Sequence, residues 1–124
     1  MYKFRFKSFK VYEDARKFRK ELKSLTKKKF QKEEQFCMTS QLWRALDSIL
    51  LNIAEGADRG TDKDFAHYLN NSNTSLNEVA SCLDLSMDDG YISSEEHEIF
   101  SERLGGIANQ LTALRKKLIE HPIK

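Results

Sequence analysis

The one proline in this chain of 124 residues is Pro122, so no proline breaks a helix anywhere before it. Apolar residues recur at helical spacing in four long stretches. From about Phe9 to Lys29, Val11, Ala15, Phe18, Leu22 and Leu25 step by 4, 3, 4 and 3, which sets one apolar seam on a helix. From about Glu33 to Arg59, Met38, Leu42, Trp43, Ala45, Leu46, Ile49, Leu50, Ile53, Ala54 and Ala57 fill roughly half of the helical wheel. A surface helix needs an apolar arc of only about 100°, so this segment is expected to touch more than one neighbour. From about Asp62 to Asp89 a heptad seam runs through Phe65, Leu69, Ser72, Leu76, Val79, Leu83 and Met87. From about Ser94 to Glu120 the pattern continues through Phe100, Leu104, Ile107, Leu111, Leu114 and Leu118.

Boundary residues agree with these seams. Gly60 is expected to end the second helix, with Thr61 capping the third ahead of Asp64. Gly90 ends the third, and Ser93 with Glu96 reads as a capping box for the fourth. Gly105 and Gly106 lie inside the fourth helix, each costing about 1 kcal/mol against alanine, which points to a close helix approach or a local bend. Connections this short make neighbours antiparallel. The expected fold is all-α: a single domain over 1–124, an up-down-up-down antiparallel four-helix bundle with left-handed crossing. An aromatic and basic arm over 1–8 precedes it, in which Tyr2, Phe4 and Phe6 alternate with Lys3, Arg5 and Lys7 at the period of a strand.

Composition excludes several classes. No apolar run approaches the roughly 18 residues of a membrane span, and the N-terminus MYKFRFKSFK lacks the apolar core of a signal peptide. The cytoplasm is the expected location. Two cysteines, Cys37 and Cys82, are too few for a disulfide framework or a four-ligand zinc site and read as small buried hydrophobes.

The formal charge of +2 conceals a strong polarity. Residues 1–32 hold thirteen Lys and Arg against three acids, a balance of +10, while the rest holds eight bases and sixteen acids, a balance of −8. Such asymmetry means either a polyanion-facing surface or one segment packed against the other. Arg16, Lys20, Lys23 and Lys27 share one face of the first helix, and Lys27-Lys28-Lys29 ends it, where cations also complement the helix dipole. These are the candidate phosphate contacts, with Lys3, Arg5 and Lys7 of the arm secondary. The arm's aromatics either stack on unpaired bases or pack on the bundle.

A second constellation is the polar stripe Gln41, Arg44, Ser48, Asn52, Glu55 and Arg59 on the second helix. If the third helix folds back at Gly60 and Thr61, Arg44 comes level with Glu78, Ser48 with Thr74 or Ser75, Asn52 with Asn70 or Asn71, and Glu55 with His67. Three readings of the stripe stay open: a solvated face, a buried ladder that fixes register or a subunit contact, and a ligand site. A di-iron centre needs two Glu-x-x-His pairs; the nearest approach is Asp64-x-x-His67, and neither His97 nor His121 has an acid three residues before it. No nucleophile motif, P-loop or glycine-rich turn is present. The expectation is a non-enzyme without metal or cofactor. A small-molecule hydrolase built on Arg44, Glu55 and His67 would require a closed pocket around all three.

Gln41-Leu42-Trp43-Arg44-Ala45, then Ser48-Ile49, Asn52-Ile53-Ala54-Glu55-Gly56 and Arg59, resemble the Q-L-x-R-A…S-I…N-I-A-E-G…R pattern of a bacterial four-helix-bundle family. That family is known from open reading frames in 23S rRNA intervening sequences and is also labelled S23 ribosomal protein. Phe6 and Phe9 with Val11-Tyr12 and Ala15, Phe30 with Glu33 and Glu34, and Ser75-Leu76-x-Glu78 extend the resemblance over almost the whole chain. Gln31, Cys37, Trp43 and Thr74 depart from the residues usual at their positions, and Trp43 replaces a common arginine.

The family includes the accessory protein of diversity-generating retroelements. By resemblance this implies a homopentamer, RNA or DNA as partner, and a reverse transcriptase partner. It also offers the broad apolar arc of the second helix a subunit contact as its destination. The leading expectation is a homo-oligomeric nucleic-acid-binding accessory factor. The alternative is an oligomeric protein scaffold in which the acids of the third and fourth helices neutralise the first.

Overall fold

The computed structural model describes residues 1–30 and 38–124. A 3₁₀ turn, Arg5–Ser8, precedes four helices: α1 (Lys10–Lys29), α2 (Met38–Ala57), α3 (Asp62–Asp88) and α4 (Ser94–Glu120). The expected start of the second helix at Glu33, and with it Gln31, Glu34 and Cys37, lies outside the described residues.

Cross-helix contacts fix the directions. Between α2 and α3, Glu55 meets Tyr68, Ile49 meets Ser72 and Ser48 meets Ser75, so one number rises as the other falls. The same descent relates α1 to α4, where Asp14 meets Gln110, Glu21 meets Arg103 and Lys29 meets Glu96. Arg19 with Asp47 and Thr26 with Trp43 give it for α1 and α2. Each helix therefore runs antiparallel to its neighbours in an up-down-up-down bundle. α1 packs on α2 and α4, and α3 on the same two, while α1 and α3 stand diagonally opposite.

The seams fill the core. Val11, Ala15, Phe18 and Leu22 of α1, Phe65, Leu69, Leu76, Val79 and Leu83 of α3, and Leu104, Ile107, Leu111 and Leu118 of α4 are all buried. Each such leucine or phenylalanine contributes about 1.5–3 kcal/mol relative to exposure. Ser72 occupies its place in the seam because its hydroxyl donates to the Ile49 carbonyl at 2.8 Å, so this buried hydroxyl is not left open. On α2, Leu42, Ala45, Leu46, Ile49, Leu50, Ile53 and Ala57 are buried within this one chain. The broad arc reflects two neighbours in the same bundle, which removes the need for a subunit contact to cover it.

Termini of the helices follow local chemistry. Thr61 Oγ1 accepts from the Asp64 N–H at 3.2 Å, and Ser93 and Glu96 close both arms of a capping box at 2.9 and 3.0 Å. Gly90, at φ +81°, turns the chain after α3. α2 stops at Ala57, short of the expected Arg59, because the Asp58 and Arg59 N–H groups tighten onto the Glu55 and Gly56 carbonyls. Gly105 and Gly106 do not mark a close approach: both are exposed, α4 runs unbroken through them, and a Cβ on either would meet nothing within 4 Å. The close approach is instead at Gly56. A Cβ there would stand 2.5 Å from Tyr68 Cβ and 2.9 Å from Phe65 Cδ1.

The arm is not a strand. Phe6 turns inward onto Tyr12, with ring centroids 4.8 Å apart, and Arg5 reaches the first turn of α3. There the fully buried Asp62 carboxylate accepts from Arg5 Nη1 at 3.1 Å and from the Ile123 and Lys124 N–H groups at 2.6 and 3.1 Å. One side chain thus ties both chain ends to α3. Burial pushes the Asp62 carboxyl upward, but the hydrogen bonds from Ile123, Lys124 and Arg5 outweigh it and hold the group below the ordinary carboxylate range.

Candidate nucleic-acid interface

The cations of α1 divide according to what stands opposite them. Toward α2, Asp47 accepts from Arg19 Nε at 2.6 Å and from Lys23 Nζ at 2.8 Å. Burial raises the Asp47 carboxyl, yet those two bonds and their charges hold it below the usual range. Lys23 is only 15% exposed and its ammonium sits 5.0 Å from the centre of the Trp43 ring. Trp43 in turn donates its indole N–H to Thr26 Oγ1 at 3.0 Å, and Thr26 bonds the Lys23 carbonyl. Trp43 therefore belongs to the basic face as the platform under Lys23 and Lys27, the latter at 5.6 Å.

Toward α4, Asp14 takes Lys10 at 2.7 Å and Gln110 at 2.8 Å, and these bonds, Lys10 first, lower its pKa. Arg103 pairs with Glu21 and Lys29 lies 3.8 Å from Glu96. The outward face keeps what remains. Arg16 is exposed and shares a 3.3 Å contact with Glu13, while Lys20 and Lys28 are exposed and form no ion pair with any described residue. Lys17 is likewise on the surface, near enough to Asp14 to lower its pKa. Arg16, Lys17, Arg19 and Lys20 line a depression of about 570 Å³ between α1 and α2, with Glu13, Asp47, Tyr12, Leu50 and Leu51.

The secondary set is split too. Arg5 is committed to Asp62 and packs beside the rings of Phe9 and Phe65, at 5.8 and 5.2 Å. Lys3 is exposed, and the Lys7 ammonium stands 5.5 Å from the Phe4 ring centre. Of the residues expected to touch phosphate, Lys23 and Arg5 are thus engaged inside the fold, Lys29 lies beside Glu96 but stays exposed, and Arg16, Lys20, Lys27, Lys28, Lys3 and Lys7 present their charge to solvent.

The polar stripe is partly a ladder. Ser75 donates to Ser48 Oγ at 2.8 Å, Asn52 donates to the Ser48 carbonyl and hydroxyl at 2.9 and 3.1 Å, and Tyr68 donates to Glu55 at 3.4 Å. Arg59 covers the Tyr68 ring at 5.3 Å. Gln41, Arg44 and Glu78 are exposed, and Arg44 and Glu78 form no ion pair with any described residue. Asn52 bonds along its own helix rather than to Asn70 or Asn71, and Tyr68 rather than His67 meets Glu55. Arg44, Glu55 and His67 all face solvent, which ends the hydrolase arrangement. Burial, then the charge of Glu78, raises the Cys82 thiol, so it is a poor nucleophile. Among the described residues no three His, Cys, Asp or Glu side chains come together as a metal site, and no helix is long and apolar enough to cross a membrane.

Asp47, Thr26 and Gly56 carry structure to which the sequence reading gave no role, and Asp62, one of the third-helix acids available to neutralise the first helix, instead holds Arg5 of the arm and the Ile123 and Lys124 N–H groups. Asp47 offered one signal: an acid on the edge of an otherwise apolar arc, beside a helix of lysines. Gly56 offered another, as the glycine closing the Asn52-to-Gly56 motif.

Fold and face together define a small antiparallel four-helix-bundle protein with one strongly basic helix. The chain belongs to the 23S rRNA-intervening sequence protein family, whose profile matches residues 7–113. It is also similar to a protein of unknown function from the S23 ribosomal protein family of Bacteroides thetaiotaomicron. That crystal structure aligns with a TM-score of 0.77 at 26% identity over 86% of this chain and 98% of the other. No curated protein matches the chain.

Proposed function

We propose that this protein is a non-enzymatic, cytoplasmic accessory factor that binds nucleic acid through the outward face of α1, as a homo-oligomer. One observation supports it most: after the internal carboxylates have taken Lys23, Arg19 and Arg5, the helix still offers Lys20, Lys27 and Lys28 to solvent, with Arg16 and Lys17 beside them. Ammonium and guanidinium groups on one helix face suit a phosphate backbone, which they bind by releasing counterions without reading sequence. The family's link to 23S rRNA intervening sequences makes RNA the first ligand to try. By the same resemblance the oligomer is a pentamer and a reverse transcriptase is a partner, which co-purification with a neighbouring reverse transcriptase would test.

The direct experiment is a binding titration of duplex RNA and DNA at low salt with the wild type and a Lys20→Gln/Lys27→Gln/Lys28→Gln variant. Weakened binding in the variant is expected. Absence of binding by the wild type, or an unaltered variant, contradicts the proposal.

A second reading has its own observation. Asp84, Asp88, Asp89, Glu95, Glu98 and Glu102 are exposed on α3, α4 and their connection, and α3 stands diagonally opposite α1. Copies could pair basic face to acidic face head-to-tail, a heterologous contact that makes a ring where its rotation closes. In that scaffold the α1 face would be covered and nucleic acid would not bind.

A further inference from the structure

Four rings stand in a row, three from the arm and the fourth, Tyr12, from α1. Tyr2 and Phe4 have centroids 5.0 Å apart, Phe4 and Phe6 5.7 Å, and Phe6 and Tyr12 4.8 Å. The inner pair packs on the bundle, but Tyr2 is 73% and Phe4 52% exposed. Aromatic surface left in water is unfavourable at about 25 cal/mol per Å², and packing of the arm does not require it here, since Arg5, Phe6 and Phe9 already anchor the segment. These outer rings open onto a recess of about 1000 Å³ that includes Lys3, Arg59 and the 65% exposed Leu51. Lys7 stands over Phe4. Glu55 and Asp58 also line the recess, and Glu55 is engaged by the Tyr68 hydroxyl.

The recess adjoins the basic depression on α1 at Leu51, which belongs to both, and Tyr12, the inner end of the ring row, lines the depression. A ligand held by phosphates on Arg16 and Lys20 would therefore pass directly to exposed aromatic faces flanked by Lys3 and Lys7. Only an unpaired strand can use both. In a duplex the base faces are occupied by one another, whereas a single strand can stack its bases on protein rings while its phosphates track a basic groove.

We propose that Tyr2 and Phe4 form a base-stacking site that gives the protein a preference for single-stranded over double-stranded nucleic acid. This rests on the phosphate-binding role of α1 and names the ligand class for it. The test uses a labelled oligo-dT strand of roughly 16 nucleotides and the same strand paired with oligo-dA, with the full-length chain. Tyr2→Leu/Phe4→Leu keeps apolar bulk and removes the π-faces; Tyr2→Trp/Phe4→Trp keeps them. The leucine variant is expected to lose about tenfold or more of single-strand affinity, to keep its duplex affinity, and the tryptophan variant to restore the loss. Equal weakening of both ligands, no weakening of either, or a tryptophan variant as weak as the leucine one overturns the site. The Lys20→Gln/Lys27→Gln/Lys28→Gln variant separates the two claims. If it binds both ligands as the wild type does while the leucine variant is selective, the α1 reading falls and the stacking site stands. If the wild type binds neither ligand, both fall.

Discussion

Lys20 and Lys23 lie three residues apart on one helix and serve different ends, because Asp47 stands opposite the second and not the first. Lys23→Gln should therefore act mainly on packing, whereas Lys20→Gln acts on the surface potential. Asp62 is the clearest case of a structural carboxylate. Its Asp62→Ala variant leaves two N–H groups and a guanidinium unpartnered, and we expect a loss of about 3 kcal/mol, the lower end for a broken buried pair because Arg5 is partly exposed. The folded-state pKa is depressed, so the contribution is fully present above the ordinary carboxylate value of about 3.9 and is lost as pH falls through the lower folded value. Urea unfolding at a series of pH values should show a steeper acid loss in the wild type than in the variant. Equal acid limbs would contradict this role. None of it could be read locally, because Arg5 and Asp62 are 57 residues apart in sequence.

Helices were the most legible elements, since apolar periodicity and caps such as Ser93 with Glu96 depend only on nearby residues. Antiparallel register also followed from turn position, which is why Ser48 meets Ser75. Side-chain choice within that register did not: Arg44 and Glu78 sit level but in water, where an ion pair contributes only about 0–1 kcal/mol. The arm misled because alternation of ring and base has a strand's period, yet no partner strand exists among the described residues and Phe6 finds Tyr12 instead. Glycines misled in the same way, by carrying no label for cause. Gly56→Ala should cost about 1–3 kcal/mol by overpacking α2 against α3, whereas Gly105→Ala and Gly106→Ala should each add about 1 kcal/mol on an open helix face. Thermal unfolding of the three variants checks the opposite signs; destabilisation at Gly105 or Gly106 would mean that another surface closes on α4.

At the scale of the whole molecule, the formal +2 resolves into a basic α1 and an acidic edge on α3, diagonally opposite it, and on the neighbouring α4. Such a molecule can either hold a polyanion or hold its own copies. Light scattering at low and high salt distinguishes the modes: an assembly joined basic face to acidic face dissociates as salt rises, and one joined elsewhere keeps its mass while α1 remains open. The family profile and the Bacteroides structure account for the bundle. Salt dependence is the direct test of whether α1 binds a polyanion, because phosphate contacts release counterions. The wild type should lose duplex affinity log-linearly with salt, and the Lys20→Gln/Lys27→Gln/Lys28→Gln variant should bind more weakly with a slope shallower by about 2–3, near 0.9 for each phosphate contact removed. Parallel salt slopes for the two proteins would contradict nucleic-acid binding through α1.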